Sequence, residues 1–303
     1  MVGSNVLDHP GIGEFELQSP HSGELDLRDF NAVQVYLRKY EPDMVIHAAG
    51  KVGGIQANIS EPVSFLVENL DMGQNILLAS REAGVKKLLN LGSSCMYPRN
   101  SPDALREEDV LSGALEPTNE GYAIAKCAIA RLAAYIHMES PEFNYKTMIP
   151  CNLYGRYDKF HPKHSHLIPA IIHKLHHAKV NNLPVVEIWG SGNARREFMY
   201  AGDLADAIIY SINHFDTMPS LMNAGLGHDY SVNEYYDIAA KIVGFEGEFQ
   251  HDLTKPVGMM RKLTDVSLAK QWGWQFRTSL EDGIRQAYSY YLESGVANEL
   301  SVS

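Results

Sequence analysis

Apolar positions along the chain follow two rhythms. Residues 43–50 (DMVIHAAG) read as a buried strand followed by a small-residue turn, and 86–94 (KKLLNLGSS) as another. Between them, 61–83 carry apolar side chains at helical spacing, and 121–138 (GYAIAKCAIARLAAYIHM) predict a helix rich in Ala and Leu. Residues 145–155 again predict a strand running into a turn. Strands that are apolar throughout, alternating with helices, imply an α/β fold: a doubly wound parallel sheet of the Rossmann kind, covered on both faces. After residue 155 the rhythm changes. A His-rich loop (160–166) leads to a helix near 167–179, then to segments 185–192, 194–212 and 222–227 and a helix over 231–244. A short strand with a Pro/Gly loop (248–260) precedes a closing helix over 279–294, with Ser279 as its N-cap. This second part reads as a smaller α/β cap that returns to the first.

The start of the chain departs from the doubly wound pattern, in which a first strand leads through a Gly-rich turn into the first helix. No apolar strand precedes Met1-Val2-Gly3-Ser4, which resembles the tail of G-x-x-G-x-x-G. The run GEFELQSP (13–20) suits a second strand, and ELDLRD (24–29) the turn into the next helix. The expectation is that ~13 residues, a central strand and the first two glycines, lie upstream. The alternative is a chain that begins with a loop.

Composition narrows the function classes. At 303 residues, 45% hydrophobic and 21% charged, the chain is neither disordered, collagen-like nor a coiled coil, and it is long enough for about two domains. With 26 basic against 37 acidic residues the formal net charge is −11, so its mean field repels nucleic acid and anionic membranes. No apolar run reaches the ~18 residues of a membrane helix, and the N-terminus lacks the form of a signal peptide. Three scattered cysteines, Cys95, Cys127 and Cys151, make neither a disulfide framework nor a zinc pattern and suit a reducing compartment, so the cytoplasm is the expected location. His161, His164, His166, His173, His176 and His177 crowd together, and His173 with His177 is an i, i+4 pair able to hold zinc. No third ligand stands at a suitable spacing. A solvated helix face is therefore expected, and no metal.

The sharpest chemical signal is Tyr122-Ala-Ile-Ala-Lys126, which puts a phenol and an ammonium on one helical face. A nearby ammonium favours the phenolate, which predicts a lowered Tyr122 pKa and a group able to exchange a proton with a carbonyl/alcohol pair. The strand end Gly92-Ser93-Ser94-Cys95 lies ~30 residues upstream, the separation expected in this architecture, where a Ser can hydrogen-bond the same carbonyl oxygen. Asn152-Leu153-Tyr154-Gly155 ends the next strand, at the carboxyl edge where ligands bind.

Ser93 to Pro98 (SSCMYP), Glu116 to Glu120 (EPTNE), Tyr122 with Lys126, and Asn152 to Gly155 (NLYG) together resemble the extended short-chain dehydrogenase/reductases. Within these the chain is similar to the GDP-L-fucose synthase family, with GDP-colitose synthase as a close relative. Lys51 to Ile55 (KVGGI), Lys159 to Pro162, Ser165-His166, Trp189 to Gly192 (WGSG) and Arg196 to Phe198 match in order, and the resemblance covers nearly the whole chain. It implies an epimerase–reductase that converts GDP-4-keto-6-deoxy-mannose to GDP-L-fucose. In that reading Cys95 is the base and His166 the acid that invert C3 and C5. NADPH then reduces C4, with Tyr122 protonating the oxygen, Ser93 binding it and Lys126 holding the nicotinamide ribose. The chemistry fits the residue types, since epimerisation needs a group on each face of the ring, and a thiol and an imidazole exchange protons near neutrality.

The resemblance assigns further cofactor contacts to Gly3, Asp26, Ala48, Leu91, Gly92, Ser94, Pro150, Asn152, Leu153 and His166, and substrate contacts to Ser94, Lys174, Trp189 and Arg196. It implies a dinucleotide-binding domain of 1–158 plus 196–226, a GDP-sugar-binding domain of 159–195 plus 227–303, a homodimer, and supply of an activated deoxysugar for a surface polysaccharide. Asp203 is expected to be structural, bound to a backbone turn or an Arg. Several positions depart from the family pattern. Lys174 stands for an arginine, and Val257 and Met259 replace the usual Asp and Thr of the 255–262 loop. The lost carboxylate makes a 3,6-dideoxy-4-keto sugar, inverted at C5 only, the alternative substrate. Residues 18–23 lack the arginine that reads the 2′-phosphate of NADP, which leaves NADH as the alternative to NADPH. A non-catalytic dinucleotide-binding protein on the same fold is the remaining reading.

Overall fold

The computed structural model describes residues 1–101, 103–161, 165–255, 259–295 and 297. In chain order it opens with α1 (Val2–Leu7), α2 (Phe30–Tyr40), β1 (Met44–His47), α3 (Ile55–Ser60) and α4 (Pro62–Glu82). Then come β2 (Lys87–Leu91), α5 (Glu120–Glu139), β3 (Asn144–Pro150) and β4 (Asn152–Tyr154). The later elements are α6 (Leu167–Val180), β5 (Val185–Trp189), β6 (Arg195–Arg196), β7 (Phe198–Tyr200), α7 (Ala201–Asn213), β8 (Leu221–Ala224) and β9 (Tyr230–Ser231). The chain closes with α8 (Val232–Val243), β10 (Glu248–Asp252), β11 (Arg261–Lys262), α9 (Ser267–Trp272) and α10 (Leu280–Glu293).

A parallel sheet in the order β1-β2-β3-β8 carries the first half, in the register Val45 to Leu88, Leu89 to Lys146 and Met148 to Met222. Successive strand residues point to opposite faces. Leu88 therefore packs with Val33 and Leu37 of α2, Leu77 of α4 and Ile129 and Ile136 of α5. Its neighbour Leu89 packs with Val6 of α1, Leu204 and Ile208 of α7 and Ala269 of α9. The doubly wound α/β fold follows from this two-faced burial. Helices α4 and α5 approach closely at Gly73, where an added Cβ would meet Ile129 Cγ1 at 2.5 Å. A second core gathers α6, α8 and α10 around Ile188 of β5 and Phe198 and Tyr200 of β7.

Three expectations need correcting. The strand predicted over 13–20 does not form: a 3-10 turn (Pro10–Glu14) leads into mostly exposed, irregular chain. An extended segment without a ladder partner leaves its peptide groups to water, and among the described residues no strand lies on the outer edge of β1 to receive it. The strand over 145–155 is two strands that part at Cys151: β3 pairs with β8, and β4 with β7. The histidines of α6 are not a solvated face. His173 is buried with Nδ1 3.0 Å from the Tyr291 hydroxyl, and His176 Nδ1 is 3.0 Å from the Tyr288 hydroxyl, so they join α6 to α10. Only His177 of this group on α6 is exposed, and His164 lies outside the described residues.

The capping signal at Ser279 holds, and a second cap appears at Ser231. The Ser279 hydroxyl accepts from the Asp282 N–H, and Ser231 with Glu234 forms a capping box. Asp203 accepts from the backbone N–H groups of Arg277 and Thr278, the structural role expected of it.

Candidate active site

The carboxyl end of β2 delivers the site's first groups. Beyond Leu91 and Gly92 the chain tightens into a 3-10 turn (Ser94–Met96), capped by the Ser93 hydroxyl, which accepts from the Cys95 N–H at 3.2 Å. This turn buries Ser94 and leaves Cys95 partly open. Opposite it, the first turns of α5 present Tyr122 and Lys126. Tyr122 lies close enough to Ser93 for the Ser93 hydroxyl to act on its phenol, and Lys126 Nζ lies 5.9 Å from the centre of the Tyr122 ring. Ser93, Cys95, Tyr122 and Lys126 are thus brought together as the residue pattern predicts.

Electrostatics here differ from the expectation. Burial raises the Tyr122 pKa, the Cys95 sulfur adds to the rise, and the Ser93 hydroxyl only partly opposes it. Lys126 does not rescue the phenolate, because its ammonium is buried, donates to the Leu91 carbonyl at 2.9 Å and has its own pKa lowered by burial to about 8. Tyr122 is therefore a protonated donor at neutral pH.

His166 comes from elsewhere, at the N-cap of α6. Its residue is exposed at the surface, yet protein surrounds enough of the ring for burial to lower its pKa, with the nearby Lys159 ammonium adding to the effect. Among the described residues no hydrogen bond joins it to the other four groups.

Sequence reasoning gave no role to three further side chains. Asn119 donates from Nδ2 to Cys95 Sγ at 3.0 Å, and Lys262 Nζ lies 3.9 Å from the same sulfur. Both stand in motifs quoted above, so their positions were legible and their contacts were not. Glu197 is buried and accepts from the N–H groups of Leu226, Gly227 and Thr264 and from the Thr264 hydroxyl, which ties β6 and β7 to the segments after β8 and β11.

The second group of expected residues is brought together in part. Trp189 ends β5 with its indole 52% exposed, and the Lys174 and Lys255 ammoniums lie 5.4 and 5.6 Å from its ring. An open aromatic face flanked by two cations suits a base joined to phosphates. Arg196 sits half-buried on β6, donating to the Arg195 carbonyl at 2.8 Å. Met259 is described, whereas Val257 lies outside the described residues.

The remaining candidate cofactor positions line strand ends. Ala48 follows β1, Pro150 ends β3, and Asn152 and Leu153 lie in β4, where Asn152 Nδ2 donates to the Glu197 carbonyl at 3.1 Å. Gly50 keeps this edge shallow: a Cβ there would meet Asn69 Oδ1 at 3.1 Å and Lys126 Nζ at 3.7 Å. Such an edge, beside a Tyr/Lys pair, fits the nicotinamide end of a dinucleotide. Gly3 is exposed in the first turn of α1 with nothing near its Cβ position. Asp26 is exposed and engaged by Arg28, with Nε to Oδ1 at 2.9 Å and Nη2 to Oδ2 at 2.8 Å, which holds its pKa down at about 2. Among the described residues no three His, Cys, Asp or Glu side chains are grouped to hold a metal ion, and no helix is long and apolar enough to cross a membrane.

Comparison with known proteins agrees with this geometry. Residues 8–230 match the NAD dependent epimerase/dehydratase family. A GDP-L-colitose synthase from Yersinia pseudotuberculosis is 53% identical over 96% of this chain and 95% of its own. A GDP-L-fucose synthase from Azorhizobium caulinodans is 48% identical over 96% of this chain and 93% of its own. Among solved structures, a GDP-mannoheptose C4 reductase from Campylobacter jejuni with NADP bound superposes with a TM-score of 0.86 at 31% identity, covering 96% of this chain and 95% of that one.

Proposed function

We propose, for a chain that belongs to the NAD dependent epimerase/dehydratase family, the activity of an NADP-dependent epimerase–reductase acting on a GDP-linked 4-keto-6-deoxy sugar. The observation that carries this reading is the convergence of Ser93, Cys95, Tyr122 and Lys126 at one strand end, in a chain about half identical to two GDP-sugar synthases. In the reaction the Cys95 sulfur takes a proton from a carbon beside the 4-keto group, whose oxygen takes up the electron pair as an enolate. His166 returns a proton to the opposite face. NADPH, when bound, supplies hydride to C4. Tyr122, kept protonated by burial, gives its proton to the C4 oxygen, and the Ser93 hydroxyl steadies that oxygen. The Lys126 ammonium, bonded to the Leu91 carbonyl beside the Tyr122 ring, would hold the nicotinamide ribose of the cofactor. Trp189, Lys174 and Arg196 hold the GDP moiety.

GDP-4-keto-6-deoxy-mannose, inverted at C3 and C5 to give GDP-L-fucose, is the principal substrate. The 3,6-dideoxy analogue, inverted at C5 only, is the second reading, supported by the 53% identity to a colitose synthase. NADPH is favoured over NADH because a close structural neighbour was solved with NADP and because Arg28 supplies a cation beside Asp26. The division into a dinucleotide domain (1–158, 196–226) and a GDP-sugar domain (159–195, 227–303) belongs to the same reading, as does a cytoplasmic location. So does a homodimer, since Val63 and Val67 of α4 and Ile124 and Tyr135 of α5 expose apolar surface. Incubation with each keto-sugar and with NADPH or NADH tests the assignment. Formation of GDP-L-fucose or GDP-colitose, with a higher kcat/KM for NADPH, is expected; binding of NADPH without its oxidation by either sugar would leave a non-catalytic protein.

A further inference from the structure

Strands β6 and β11 form a two-residue parallel ladder in which Arg261 stands beside Arg195 and Lys262 beside Arg196. Paired residues of a parallel ladder share a face, and successive residues take opposite faces. One face is settled by an acid. The buried Asp229 carboxylate accepts from Arg195 Nε through Oδ1 and from Arg261 Nε through Oδ2, both at 2.6 Å. The other face therefore carries Arg196 and Lys262, and from it Lys262 Nζ donates to Cys95 Sγ at 3.9 Å. Asn119 Nδ2 donates to the same sulfur at 3.0 Å. Among the described residues no carboxylate pairs with Lys262, whereas Arg195 and Arg261 share Asp229. Lys126, the other cation of the cluster, is tied to the Leu91 carbonyl.

We infer that Lys262 is a catalytic residue of the epimerisation step: its ammonium is the counter-charge of the Cys95 thiolate, and the Asp229 clamp on the opposite face of the ladder holds it there. The role rests on the proton transfer proposed for Cys95. Sulfur takes a proton from carbon as the thiolate, and an anion beside the buried Tyr122 phenol is stabilised by a cation and a directed donor. Lys262 and Asn119 supply these two. When the thiolate takes the carbon-bound proton, an S–H bond forms and the C–H electron pair passes to the keto oxygen as an enolate. The ammonium keeps its three protons throughout, so it acts as a fixed charge and not as an acid. The ladder also sets Lys262 beside Arg196, a candidate ligand of the GDP moiety. The strand pair that receives the nucleotide thus presents the cation to the base.

Alkylation of Cys95 by iodoacetamide, read on its peptide by mass spectrometry, tests the pairing without any substrate. The reagent is neutral, so Lys262 does not attract it. In Lys262→Met, alkylation at neutral pH is expected to slow about fivefold, because a thiolate without its counter-charge is scarcer, offset in part by its greater nucleophilicity. A merely structural loss would loosen the site and speed the reaction. Deuterium incorporation beside the keto group should fall by a similar factor, in kcat rather than KM, with NADPH affinity unchanged. Lys262→Arg, which keeps the charge, should restore most of both rates. Lys262→Gln gives the same comparison should the methionine variant fail to fold. Alkylation as fast in a folded, uncharged variant as in the unmodified protein overturns the inference. Should the unmodified protein incorporate no deuterium, the reading of Cys95 as the base fails, while the alkylation rates still decide the pairing.

Discussion

The Lys126 ammonium donates to the backbone carbonyl of Leu91 across 2.9 Å, tying the helix that carries Tyr122 to the strand end that carries Ser93 and Cys95. The contact is a positional one, but it is made by a buried cation whose pKa has fallen to about 8. Lys126→Met removes a desolvated charge at similar volume, so it should leave the melting temperature nearly unchanged while C4 reduction falls by roughly 10²-fold or more. Reduction by the unmodified protein should also weaken as pH rises through about 8, where the ammonium is lost, and Lys126→Arg should flatten that limb because a guanidinium stays charged. Stopped-flow hydride transfer against pH, with thermal melts, checks both.

Much of the site could be read from sequence because it rests on local rules. The i, i+4 spacing put Tyr122 and Lys126 on one face, and the apolar run 86–94 located Ser93 and Cys95 at a strand end. What escaped depends on distant packing. Lys262 meets Cys95 from 167 residues along the chain. The sign of the Tyr122 shift was missed for the same reason: spacing reports the nearby ammonium, whereas only the packed structure reports the burial that outweighs it. The segment 13–20 has a strand's residues but no described neighbour to pair with.

His173 and His176 link α6 to α10, and both have pKa values lowered, first by burial and then by neighbouring cations. The unfolded chain binds protons on them near pH 6.5, before the folded one does. Their contribution is therefore complete above about 6.5 and is lost as pH falls below it. Urea midpoints should drop between pH 7.5 and 5.5, and His173→Gln, which can still bond Tyr291, should show a smaller drop.

Glu197 is the polar hub between β6, β7 and the segments that follow β8 and β11. Glu197→Ala would strand the N–H groups of Leu226, Gly227 and Thr264 in the interior. The expected loss is about 3 kcal/mol or more, read from urea denaturation, with Glu197→Gln costing less.

The exposed apolar faces of α4 and α5 predict a dimer mass by light scattering at micromolar concentration. Val67→Glu, which would bury a charge in that contact, should give the mass of a single chain with secondary structure intact.

The central claim is that one cluster performs two separable steps, proton exchange through Cys95 and reduction through Tyr122. The most direct measurement is deuterium incorporation beside the keto group, followed together with NADPH oxidation, in Tyr122→Phe and Cys95→Ser proteins. Tyr122→Phe should still incorporate deuterium while NADPH oxidation falls by ~10²-fold or more, and Cys95→Ser should lose incorporation. Equal incorporation in Cys95→Ser and the unmodified protein, or undiminished NADPH oxidation in Tyr122→Phe, would contradict the account.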